Sequence, residues 1–406
     1  MTPSDRPLLR PAYRAVACGM AAIGVAAAGI GLVRAPQQMW PEMLVNDFYI
    51  LGIGLGGTLF IAVEYLSAAR WCAGIRRIPE ALMSALPPAA VLLLTIYFGR
   101  HFIYQWSRPD PVSGGTLVER QAGYLDTGFF FLRMTVFLAL WIFLSRLMRR
   151  RSLRQDAQAD ALHRQRMVRY SAIFVVVFAI TFSLASFDWL MSVDPHWSST
   201  IFAVYMFSGL FVQGLAAITL VVAILNRTDR LPGIVGASQL RDLGTLLFAF
   251  TTFWAYIWVS QYLLIWYSNL PEEIGYYLTR TRGAWNLLFL LNPVINWVVP
   301  FLILLPRSNK SNPVVLLCVS VVILLGRWVD IYLAVMPAVL PNPSIGVLDV
   351  AMSVGYAGLL IYVCGAALAR APLVPVNDPA LGRIQGSPME TQHPARWTVI
   401  ARAGGN

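Results

Sequence analysis

Ten apolar runs, each about 20 residues long, divide this chain and fix the solvent in which it folds. A helix rises 1.5 Å per residue, so about 20 apolar residues cross a hydrocarbon core of roughly 30 Å. The runs cover residues 13–33, 47–69, 80–98, 128–147, 169–192, 200–226, 241–268, 283–305, 312–336 and 347–370. In lipid the backbone must satisfy its own hydrogen bonds, which leaves helices or a closed barrel. A barrel would show short alternating segments, whereas these runs are long and continuous. The expected fold is therefore an all-α integral membrane protein with ten transmembrane helices. Charge agrees, since Asp, Glu, Lys and Arg make up 13% of the 406 residues, about half the share in a soluble domain.

Basic residues give the expected orientation. With the N-terminus in the cytoplasm, the N-terminal segment, the even-numbered loops and the C-terminal tail hold 23 of the 31 Lys and Arg. The odd-numbered loops hold six, and Arg133 and Arg327 lie inside helices. The loop 148–168 is the strongest cytoplasmic marker. The net charge of +11 thus reads as topology and points away from nucleic acid. The division expected is a cytoplasmic segment 1–12, a membrane domain 13–370 and a flexible cytoplasmic tail 371–406, in a bacterial inner membrane. MTPSDRPLLRPAYR leads straight into the first run, with no cleavable signal peptide. The polar loop 99–127 is expected to cap the bundle or cover a partner.

Cofactor ligands are scarce. Cys18, Cys72, Cys318 and Cys364 form no CxxC pair, so no zinc or iron–sulfur ligand set is encoded. The histidines, His101, His163, His196 and His393, all lie away from mid-span. A haem between two helices usually needs deep histidines. Only His101 and His196, both able to reach the outer surface, leave an outer haem open. The expectation is that this chain binds no metal and no redox cofactor.

The chain also repeats. DWLMSVDP (188–195) resembles DIYLAVMP (330–337) at an offset of 142, placing Asp188 opposite Asp330. HFIYQW (101–106) sits more faintly beside QYLLIW (261–266). Helix 5 thus matches helix 9, and helix 3 matches helix 7. Both copies point the same way, giving two parallel four-helix bundles, helices 2–5 and 6–9, with helices 1 and 10 outside. Inverted repeats, frequent in secondary transporters, would pair odd helices with even ones.

Ionisable groups inside spans cost about 2.5–3.5 kcal/mol to insert and usually face a bundle interior or water. Arg133, Asp188, Arg327 and Asp330 fall at similar outer depth, two of each sign. Arg327 and Asp330 are neighbours at i, i+3 and can neutralise each other; Arg133 and Asp188 can do so between helices. The rival role is a water-lined path for protons, and Asp188, too deep to cap a helix, is its leading candidate. Asp330, with its partner fixed in the same helix, is the structural one. Glu64, near the cytoplasmic end of helix 2, either snorkels to a loop arginine or marks an inner half-channel. Between the layers lie neutral polar groups that bond between helices or order water. They are Thr252, Tyr256 and Ser260 at i, i+4 spacing with Gln261 beside them, and Asn292 and Asn296 around Pro293. Trp189 and Trp197 read as interfacial anchors, and Ser198, Ser199 or Thr200 as the cap of helix 6. Asp194 with Pro195 ends helix 5, and His196 faces the outer aqueous side.

Three stretches together resemble a known family: FDWLMSVDPHWSSTIFAVYMFSG, AYIWVSQYLLIWYSNLPEE, and YLDTGFFFLR followed by RRRSLRQD. They are similar to the F subunit of alternative complex III, a bacterial quinol:cytochrome c oxidoreductase, within the NrfD/PsrC-like membrane proteins. The likeness covers roughly residues 40–340. It implies ten spans in two four-helix bundles. It also implies a periplasmic iron–sulfur protein, multihaem cytochrome c subunits and a second NrfD-like membrane subunit as partners. Quinol and the iron–sulfur and haem centres would then belong to partner subunits, with this chain serving assembly and proton transfer and not catalysing alone. Direct quinol binding by this chain is the alternative, with a pocket open to lipid near Asp188, His101 and His196. A stand-alone transporter is the third possibility, disfavoured by the parallel repeat.

Overall fold

The computed structural model describes residues 11–108, 123–158, 160, 162–231 and 233–377. Ten helices have the length and composition to cross a membrane. They are α1 (Pro11–Arg34), α2 (Pro36–Leu66), α3 (Ala73–Ile103), α4 (Thr127–Ala157), α5 (His163–Val193), α6 (Phe202–Arg227), α7 (Ala237–Ser268), α8 (Trp285–Leu304), α9 (Pro313–Ala338) and α10 (Val347–Leu368). Each expected span is present, and among the described residues there is no strand. The chain is a multi-pass all-α membrane protein. The helix ends near Asp188 are called below the Asp188 face, and those near Glu64 the Glu64 face.

Several helices outrun their apolar runs. α2 starts at Pro36 instead of near residue 47, because proline suits a first turn and a polar helix end is stable once packed. α4 and α5 run on into the arginine-rich segment, since Arg and Gln are good helix formers. Most of the expected loop 148–168 is therefore helical. The middle of loop 99–127 and the tail beyond residue 377 lie outside the described residues. Within the tail's described start, Asn377 O accepts from Gln155 Nε2 at 3.1 Å and Val376 N donates to Asp156 at 3.1 Å.

α2 to α5 close one ring of four helices and α6 to α9 a second. α2 packs on α6 between the rings, with α5 against α6 and α9 against α2, the same relation seen from either half. The crossing of α2 and α6 is a backbone contact. A Cβ added to Gly56 or Gly214 would stand 2.7 Å from the other's Cα, so only glycine fits on both sides. α1 lies outside the rings against α10, touching at Gly24 and Gly355.

Two local features shape the second ring. In α8, Pro293 removes a backbone donor, and a π turn follows at Val294–Val298, the usual response of a helix interrupted this way. Between α7 and α8 a short helix, Pro271–Thr281, buries Tyr276, Tyr277 and Arg280. Arg280 donates to Leu333 O at 2.8 Å and Ala334 O at 3.0 Å, satisfying carbonyls at the end of α9.

The aromatic end of α5 differs from the anchor expected. Trp189 is fully buried, 5.7 Å ring to ring from Trp141, and Trp197 stacks on Tyr276 at 3.9 Å. Both are core residues, because neighbouring helices and the short helix cover that face. Nor do Ser198, Ser199 or Thr200 cap α6, which starts at Phe202 with Ile201 before it and no side-chain cap.

Candidate functional site

Asp330 is the most fully held acid in the membrane domain. It has no exposed surface, and each helix of the second ring donates to it. Tyr205 of α6 and Asn292 of α8 donate to Oδ1, the latter at 2.6 Å. Trp254 Nε1 of α7 donates to Oδ2 at 3.3 Å, beside Arg327 of α9 itself. Asn296 Nδ2 steadies Asn292, donating to its Oδ1 at 2.7 Å and to Gly326 O at 2.9 Å. The arginine fits because Gly209 faces it; a Cβ there would meet the guanidinium carbon at 2.1 Å.

Asp188 is held more sparsely. Arg133 Nε donates to Oδ2 at 2.9 Å, while Oδ1 is buried without a partner. Arg133 also donates to Tyr124 O at 2.9 Å and lies over the rings of Tyr124 and Phe129 at 3.9 and 4.3 Å. Burial, and then the nearby Asp188 charge, push the Tyr124 phenol up to about 12. The ion pairs anticipated from depth alone thus both form, one between helices and one within a helix.

A third acidic group has no counterpart in the sequence reading. Glu42 and Asp47 of α2 and Asp349 of α10 are all buried. Asn46 Nδ2 donates to Glu42 at 3.4 Å, Tyr356 OH to Asp47 at 2.8 Å, and Gln38 Nε2 to Asp349 at 2.8 Å. Among the described residues no cation pairs with any of the three, and Glu42 Oε2, Asp47 Oδ2 and Asp349 Oδ1 have no hydrogen-bond partner. Extending α2 back to Pro36 is what brings Glu42 and Asp47 inside.

At the Glu64 face Glu64, Glu80 and Asp156 are in ion pairs. Arg76 Nε donates to Glu64 at 2.8 Å, the arginine pairing foreseen for Glu64. Arg77 joins Glu80 at 2.6 Å, Ser152 at 3.0 Å and Asp156. Tyr65 OH meets His163 Nε2 at 3.3 Å.

Other candidate residues are dispersed. Tyr256 is 66% exposed, on the outside of α7 away from Asp330. Thr252 bonds only within its helix, to Phe248 O at 2.8 Å. Tyr256 thus faces away from the interior, Thr252 and Ser260 are half-buried, and Thr251, Trp254 and Gln261 are the buried residues of α7 near them. Gln261 is 3% exposed, with Nε2 unpartnered. It lines both a pocket of about 430 Å³ with Ser199 and Glu273, and a cavity of about 20 Å³ with Tyr205 and Asn292. His101 is half-buried, its carbonyl accepting from Arg108. His196 is exposed, its amide donating to Asp194 at 3.3 Å.

The largest of these openings, about 1000 Å³, lies elsewhere. It is a groove between α2, α5, α6 and α7, lined by Phe60, Phe178, Phe182, Phe207 and Phe250, with Glu64 and Asp242 at its Glu64-face end. No group of three or more His, Cys, Asp or Glu with metal-binding geometry occurs among the described residues. No protein-family model matches the sequence, and no curated protein is significantly similar to it.

Proposed function

We propose that this chain is an integral membrane subunit of a bacterial quinol:cytochrome c oxidoreductase of the alternative complex III type, serving assembly and proton transfer. In this reading it sits in the inner membrane with both termini cytoplasmic and the Asp188 face towards the periplasm. Its partners are a periplasmic iron–sulfur protein, multihaem cytochromes c and a second NrfD-like subunit, which carry the redox centres and the quinol site. The resemblance of three sequence stretches, the basic-residue asymmetry and the parallel two-ring fold support it.

The observation that carries the proton role is the contrast between two equivalent acids. Asp330 accepts from four donors on four helices and is a structural hub. Asp188 has one charged donor, the Tyr124 hydroxyl beside it and one oxygen without a partner among the described residues, so it has a free position for a proton. A buried ionisable group of this kind is a functional candidate by default. Direct quinol binding beside Asp188 is less well supported. That carboxylate is 1% exposed and does not line the large apolar groove, whose acidic residues, Glu64 and Asp242, lie at the opposite face.

Purification in mild detergent tests the assembly reading: the chain should travel with haem-bearing and iron–sulfur subunits. A chain that purifies alone and moves a solute in liposomes refutes it. Asp188→Asn tests the proton role, with unchanged subunit recovery and lower proton release per electron in proteoliposomes as the expected result. Wild-type proton yield in the fully assembled variant removes Asp188 from the path.

A further inference from the structure

A cavity of about 360 Å³ lies between α3, α4 and α10 at the Glu64 face, and three arginines, Arg146, Arg149 and Arg370, line it. Among the described residues none of the three is in an ion pair. Glu80, the acid whose charge acts on Arg149, is ion-paired with Arg77, as is Asp156. Arg149 is half-buried and spends one N–H on Ala367 O at 3.1 Å; a guanidinium has five donors. The hydroxyl-bearing residues Ser84, Ser145 and Tyr362 share the wall. Deeper towards the bilayer centre the lining turns apolar, with Leu86, Ile142 and Val363.

This order of chemistry, cations at the membrane border and hydrocarbon below, is that of an anionic amphiphile. Basic pockets between spans at such a border take anionic lipid headgroups, and arginine grips phosphate through paired N–H donors. We propose that the cavity is a site for an anionic phospholipid. Its phosphate lies on Arg146, Arg149 and Arg370, and one acyl chain runs along Leu86, Ile142 and Val363. Three unneutralised guanidiniums favour a headgroup with two phosphates over one with a single phosphate. The lipid joins α10 to the first ring, adding a bridge beside the Arg149–Ala367 and Ser84–Val363 bonds. The site does not depend on the respiratory reading above.

Native mass spectrometry of the purified protein, titrated separately with cardiolipin, phosphatidylglycerol and phosphatidylethanolamine, tests the proposal. Cardiolipin adducts should persist to the highest collision energy and phosphatidylethanolamine adducts to the lowest. The triple variant R146Q/R149Q/R370Q should lose that preference, whereas R150Q/R151Q, on the same helix but outside the cavity, should keep it. Should the triple variant fail to fold, R149Q alone should shift cardiolipin release to lower energy. Three results overturn the proposal: equal retention of the three lipids, unchanged retention in the triple variant, or displacement of cardiolipin by millimolar inorganic phosphate. The last would make the cavity a free-phosphate site.

Discussion

Asp330→Asn should destabilise the protein more than Asp188→Asn, and the two environments set the size of the difference. Asparagine is isosteric but neutral, and one of its terminal atoms is a donor. At position 330 it leaves Arg327, 1% exposed, charged and without a carboxylate. It also sets a donor against donors at two of the four accepting contacts, since each carboxylate oxygen accepts two. Breaking a buried pair in this way costs about 3–5 kcal/mol. At position 188 the stranded arginine is better provided for. Arg133 keeps its bond to Tyr124 O and its place over two aromatic rings, where cation–π contact contributes about 0.5–2 kcal/mol. A loss of about 1–2 kcal/mol follows, within the ordinary range for single substitutions. The gap of about 2 kcal/mol is roughly thirtyfold in the unfolding constant. Equilibrium unfolding in mixed micelles, followed by helicity, measures it. Adding Arg327→Met to Asp330→Asn should recover much of the loss, since an apolar replacement of a buried pair is often neutral. Equal stability of the two Asn variants, or no recovery in the double variant, would refute this account of the hub.

The cation-free acids should behave in the opposite sense: Glu42→Gln and Asp47→Asn keep an accepting oxygen and strand no cation, so each should leave stability within about 1 kcal/mol of wild type or raise it, in the same unfolding assay. Gly209→Ala should resemble Asp330→Asn, because its Cβ would displace the Arg327 guanidinium, with a loss of about 1–3 kcal/mol from overpacking; Gly19→Ala, with open space around it, is the control. For orientation, a reporter fused after residue 158 should be active only in the cytoplasm and one within 110–120 only outside; the reverse in either position overturns the assignment. A reduced-minus-oxidised spectrum of the isolated chain should lack a haem α-band, and its presence would contradict the reading of the histidines.

Span number was legible in the sequence because lipid permits few backbone solutions and each run is long enough to be unambiguous. Ion-pair partners were legible for a related reason: a charge at a given depth must find its opposite at that depth. Arg133 with Asp188, and Arg327 with Asp330, follow from position along the helix alone. What stayed hidden depends on rotation about a helix axis and on helix ends. α7 is apolar all round, so no periodicity said that Gln261 points inward and Tyr256 towards lipid. PQQMWPEMLVND reads as a loop before α2, with its prolines and acids, and hid Glu42 and Asp47. Trp189 and Trp197 sit where anchors usually sit, and only the packing of α4 and the short helix shows them to be core. Arg280 carried a signal that could have been used, since Tyr276, Tyr277 and Arg280 share one face of a short helix that starts at a proline.

The two rings show how one scaffold holds an acid in two ways. Gly56 and Gly214 touch across the central crossing, which makes position 51 of α2 the counterpart of 209 in α6. The offset between DWLMSVDP and DIYLAVMP makes 185 of α5 the counterpart of 327 in α9. The first ring has Leu51 and Ala185 at these places, both buried; the second has Gly209 and Arg327. A large side chain on one helix therefore goes with a small one on the other, and in the second ring the Arg327 guanidinium takes the volume that Gly209 leaves. Where the guanidinium takes that volume, it reaches the acid of its own helix, and α8 supplies the neutral Asn292. Where leucine takes it, the cation comes from α4 as Arg133, nearer the edge of the ring and shared with the loop at Tyr124. The same exchange that locks Asp330 among four helices leaves Asp188 with one arginine and one unpartnered oxygen. The difference in their chemistry follows from which helix carries the positive charge.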